Sequence, residues 1–210
     1  MVTTGFSKPY VAKYSNVGAK VTYAEGLLLG RGVSVEIEPN TTEDNNFYVD
    51  NEVGETEGAQ FISGKATIEV DGLEPDSAKL VLGLAETFET GDEQKTTLQG
   101  YGDINPPYVG YGCVRRTQMK GVVKYWQIIY PKMKFSIPKD AAATQEEQID
   151  WQTQELSGTI VRDDTEKRHW KVTSPTGFDT EEEAEAVVKK FLNITDVMAA
   201  RTMSKVGGSK

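Results

Sequence analysis

The amino-acid sequence predicts a β-rich α+β fold: an antiparallel β-sandwich or barrel with a packed α-helix, a long extended loop and terminal arms. Three observations predict it. Apolar and polar residues alternate with period two in several short runs, as at 33–38 and 65–70. Two long apolar-rich runs, 108–119 and 122–137, flank a single Lys120-Gly121 turn signal. Only two stretches, near 75–85 and 180–192, carry apolar residues at helical spacing.

In chain order, residues 1–30 are punctuated by glycine and weakly patterned. Phe6, Tyr10, Val11, Tyr14 and Val17 suit a short strand or an arm lying on a neighbour. Residues 33–38 read as a half-buried strand that Pro39-Asn40 breaks. Residues 38–60 are rich in Asn, Thr, Glu and Gly, with Phe47, Tyr48, Val49 and Val53 in their middle. A connection of that length far exceeds the median of roughly 4–6 residues, so it is functional or disordered. Its apolar centre favours a structured arm or hairpin that docks on something. Residues 61–71 alternate cleanly, with Ala66, Ile68 and Val70 on one face, and Asp71-Gly72 turns the chain.

Pro75 suits the first turn of a helix over 75–85, where its missing N–H is not needed. Ala78, Val81, Leu82 and Ala85 form its stripe, which predicts packing against a sheet. Residues 86–107 read as loop. The pair 108–137 then forms a long β-hairpin, with Val123, Tyr125, Ile129, Met133, Phe135 and Ile137 on one face of its second strand. Residues 149–161 read as a strand whose parity switches between Trp151 and Leu156, which calls for a bulge. A short strand follows at 169–173. Thr180 to Glu183 is a capping box that opens an amphipathic helix through Leu192. The organisation is an N-terminal arm and first strand region (1–30), a main domain (31–194) and a flexible tail (195–210).

The chain has 210 residues, 32 Asp and Glu against 23 Lys and Arg, and a net charge of −9. This acidity argues against a generic nucleic-acid binder, whose affinity for phosphate needs excess base. No apolar run is long enough to span a bilayer as a helix. The first residues lack the basic and apolar regions of a secretory signal, so synthesis in a reducing cytoplasm is expected. Cys113 and His169 are one of a kind, too few for a structural zinc site, and neither sits in a nucleophile–base pattern. No catalytic, cofactor or metal site is expected. The glycines at 26–32, 100–102 and 110–112 lack the residues of phosphate or dinucleotide loops and read as turns. The acids Asp44, Asp50, Glu52, Glu55 and Glu57 miss the spacing of a calcium loop. His169 reads as a partly buried structural residue and Cys113 as a small core residue.

One charge feature is sharper. Glu36 to Glu57 contains eight acids and no base, and Arg115 to Lys139 contains seven bases and no acid. Either each segment sits on a solvated face, or they pair within one chain, or the acidic arm of one copy meets the basic hairpin of another. The candidate inter-subunit loop residues are Asp44, Phe47, Tyr48, Asp50, Glu52 and Glu55. The candidate basic interface is Arg115, Arg116, Lys124, Lys132 and Lys134, with Lys124, Lys132 and Lys134 expected to be covered by acids of the arm or of a neighbouring copy.

Residues 121–138, an aromatic pair and a basic run into Phe135-Ser136-Ile137-Pro138, resemble the long strand of the major tail proteins of long-tailed phages of Gram-positive bacteria. So do 149–162, ending in Gly158-Thr159-Ile160, and the short His169-Trp170-Lys171. Gly5-Phe6 through Ala12 and Tyr48-Val49-Asp50-Asn51 are similar in character. The resemblance implies a tail-tube-like fold and a structural virion protein. Six copies would form a ring, and rings would stack into a tube that conducts DNA on ejection. The long loop would reach an adjacent ring. Tape-measure and tail-terminator proteins would be partners, DNA a transient passenger, and the host cytoplasm the place of assembly. Other readings are a tail terminator or connector, a capsid decoration protein, or a carbohydrate-binding β-sandwich in which Trp126, Trp151 and Trp170 share an exposed face.

Overall fold

Strand formation in this chain follows its alternating runs, and the computed structural model describes residues 1–84, 87–89, 97–102, 104–139 and 153–195. The elements are β1 (Val2–Val17), β2 (Lys20–Leu28), β3 (Gly32–Thr41), β4 (Asn45–Val49), β5 (Glu52–Glu57), β6 (Phe61–Val70) and α1 (Pro75–Leu82). They continue with β7 (Thr87–Glu89), β8 (Thr97–Gln99), β9 (Tyr108–Met119), β10 (Val122–Phe135), β11 (Gln154–Val161), β12 (Val172–Thr173) and α2 (Glu181–Phe191). An eight-stranded antiparallel sheet runs in the order β2-β1-β9-β10-β11-β6-β3, with β12 beside β10. It is open: β2 and β3 are the outer strands, and β3 returns towards β1, where Phe6 lies against Gly32, without a hydrogen-bonded ladder between them.

Two cores form on the two faces. The larger gathers Val11, Tyr111, Ile68, Met133, Phe135 and Ile160 with the buried face of α1. The smaller lies under α2, where Val188, Leu192 and Ile194 meet Tyr10, Ala12 and Ile129. Gly110 and Gly112 permit that second contact: a Cβ at Gly110 would come within 2.7 Å of Leu192, and one at Gly112 within 2.6 Å of Val188. These glycines therefore serve close helix-on-sheet approach. α1 stops at Gly83, whose φ of 67° is the left-handed cap that glycine favours. The Thr180–Glu183 capping box forms reciprocally at the start of α2.

Several expectations are corrected. Residues 1–30, expected to hold a short strand or an arm lying on a neighbour, instead form two long strands, β1 and β2, and β1 pairs with β9 over most of its length. The second strand of the hairpin does not keep one parity. Its register shifts between Tyr130 and Met133, where Pro131 lacks an N–H to donate. As a result Ile128 and Tyr130 share the larger core with Met133 and Phe135, while Ile129 turns to α2. The final short strand is only β12, so His169, read as partly buried within that strand, precedes it with a side chain that is 45% exposed. The 86–107 segment contains the small β7–β8 pair. Ala85, Trp151 and the 196–210 part of the tail lie outside the described residues, as does the bulge expected between Trp151 and Leu156 in its first half.

Candidate assembly surfaces

The long connection after β3 folds as its own hairpin. β4 and β5 pair from Asn45↔Glu57 to Val49↔Glu52, and none of their described side chains belongs to either core. Asp50 and Asn51 make the turn with φ of 51° and 67°, left-handed values these two side chains tolerate better than most. The base is closed by Thr42 N–H donating to Gln60 O (2.9 Å), Gln60 N–H donating to the Thr42 hydroxyl (2.9 Å) and Ala59 N–H donating to the Asp44 carboxylate (2.7 Å). Phe47 is 65% and Tyr48 62% exposed, and Asp44 and Asp50 face solvent. Glu52 and Glu55 sit on β5, and their side chains lie outside the described set. Large apolar groups exposed together on a two-stranded ribbon are unusual, because such a ribbon is marginal in water by itself.

The basic residues are not where charge alone would put them. Lys132 is drawn inward: its Nζ donates to Asp164 at 2.7 Å and lies 4.6 Å from the Tyr108 ring centroid and 5.1 Å from that of Tyr14. The Tyr14 hydroxyl donates to the same carboxylate at 2.8 Å. The Lys132 hydrogen bond, helped by Tyr14 against the opposing effect of burial, holds the Asp164 carboxyl below its ordinary range. Lys124 pairs with Asp179. Lys134 rests beside the Tyr108 ring, 5.8 Å from its centroid. The acids that cover Lys124 and Lys132 thus come from the segments before and after β12, not from the arm. Among the described residues no ion pair joins the acidic segment to the basic one.

Arg115, Arg116 and Lys120 sit towards the turn end of the sheet. Arg116 donates to the Thr4 hydroxyl at 2.9 Å, and Lys120 is exposed in the β9–β10 turn. Half-buried Arg115 stands near Lys171, whose ammonium is shifted downward by burial first and by Arg115 second. Sequence reading missed the apolar part of this end. Val2 is 67%, Met119 55% and Val122 57% exposed. Met119 and Val122 pair across the turn and share a face, a signal visible in the sequence, whereas Val2, paired with Gln118, lies at the same end of the sheet on the opposite face.

Other features carry structural roles. Cys113 is buried, and desolvation pushes its thiol up to about 11, so it is protonated at neutral pH. Trp170 stacks on Phe61 at 4.4 Å, and Trp126 donates its indole N–H to Thr117 at 3.0 Å. These two tryptophans are engaged within the chain, and Trp151 lies outside the described residues. Among the described residues no three His, Cys, Asp or Glu side chains gather as a metal site, and no helix is long and apolar enough to cross a membrane. No protein-family model and no curated protein sequence matches the chain.

Proposed function

We propose that this chain is a structural virion protein whose copies assemble as rings, six to a ring, stacked into the tail tube of a long-tailed phage, the conduit for DNA ejection. One observation carries the reading: the β4–β5 hairpin projects exposed aromatic side chains from a sheet whose outer strands, β2 and β3, also have no further strand beside them among the described residues. Unpaired strand edges and an unsupported hairpin are both completed by further chains. Contacts that do not close on themselves extend into filaments. A net charge of −9 suits a wall past which phosphate slides. The sequence resemblance supplies the ring number, the virion location and the tape-measure and terminator partners.

Negative-stain imaging of the concentrated protein tests this. Stacked rings or open tubes are the expected result. Single rings that never stack would move the reading to a terminator or connector, and a monodisperse monomer at every concentration would overturn it.

A further inference from the structure

We propose that the β4–β5 tip of one copy docks on the β9–β10 tip of a second copy, with Phe47 and Tyr48 against Met119 and Val122, and with Asp50 facing Lys120. This rests on the self-assembly reading above and names the surface through which it acts.

Four observations converge on it. Both tips are apolar and exposed: Phe47 and Tyr48 on one, the cross-strand pair Met119 and Val122 on the other. Both are marked by charge, and the signs are opposite. Glu36 to Glu57 contains no base, and Arg115 to Lys139 no acid. Lys120 has no ion-pair partner among the described residues, whereas Lys124 and Lys132 are already neutralised by Asp179 and Asp164. Lys120 therefore brings an unpaired positive charge to the apolar tip, where it selects an acidic partner and sets its register.

The third observation is topological. β1, β10 and β6 run in one direction, because each is separated from the next by an antiparallel neighbour. Val2, Val122 and Phe61 consequently begin at the same end of the sheet, and β3 ends there to launch the arm. The fourth is length. Pro39 pairs with Gly64, Gly64 with Ile160, and Ile160 with Met133, so these share a level. From that level Val49 is ten residues on and Val122 eleven residues back, so the projections match in chain length to within one residue. A copy set alongside by rotation, with no shift along the strands, offers its basic tip to the acidic one.

Cysteines at Tyr48→Cys and Met119→Cys in one chain test the contact; Cys113 is 1% exposed and does not compete. Mild oxidation should give a ladder of disulfide-linked multimers on a non-reducing gel. In parallel, D50K and K120E singly should each weaken self-association by about tenfold or more in light scattering, and the D50K/K120E double variant should restore it. No cross-link and no charge effect in a protein that still self-associates would overturn this surface and leave the assembly reading standing. A wild-type chain that stays monomeric throughout would overturn both.

Discussion

The β9–β10 and β4–β5 hairpins turn by the same device and meet opposite fates. Lys120-Gly121 and Asp50-Asn51 both place two successive residues at positive φ, 49° and 82° in one and 51° and 67° in the other. That geometry matches the right-handed twist of paired strands. The strands of β9–β10 are 12 and 14 residues long and are flanked by β1, β11 and β12. Tyr111, Ile128, Met133 and Phe135 then bury themselves in the larger core. The strands of β4–β5 are 5 and 6 residues long and form a separate sheet. Turn chemistry makes a hairpin; neighbours decide whether it is a wall or a projection.

The sharpest way to break this comparison is Phe135→Ala. Phe135 is 2% exposed, and its removal should cost about 3–5 kcal/mol in urea unfolding. A loss below about 1 kcal/mol would mean that the β9–β10 wall does not anchor the core. A smaller effect sharpens the account of where the basic residues went. Asp164 is held below the ordinary carboxylate range by Lys132 and then Tyr14, so its contribution is present above about pH 4 and is lost as pH falls below that. Asp164→Asn should cost about 1 kcal/mol at pH 7, since the pair is partly solvated, and less at pH 3. Equal penalties at the two pH values would remove the ionic reading of this contact. The smallest effect belongs to the projection. Phe47→Ala should change the unfolding free energy of dilute protein by less than about 0.5 kcal/mol, because the ring touches neither core. A larger loss would show that the hairpin supports its own fold.

Much of this architecture is legible locally. The alternation at 61–70, the Lys120-Gly121 turn, Pro75 at the head of α1 and the Thr180 capping box each act within a few residues, and each appears as read. The long N-terminal strands were obscured because β1 is interrupted by register shifts, one of them at Lys8-Pro9, which blur a period of two. The parity of β10 was misread for the same reason at Pro131. For the candidate surface, the exposed Phe47 and Tyr48 could be found from an apolar centre inside a polar connection. The pairing of Lys132 with Asp164, across 32 residues, could not.

By itself the sequence determined the β-rich class, the helix boundaries to within a few residues, the Lys120-Gly121 turn and the segregation of acid from base, since all of these follow from neighbours along the chain. Only the tertiary structure decided which bases are neutralised internally, which end of the sheet launches both projections, and that Val2 starts at the same end as Met119 and Val122. Those outcomes depend on strand order and register, which bring together residues more than 100 positions apart and are set by burial summed over the whole sheet.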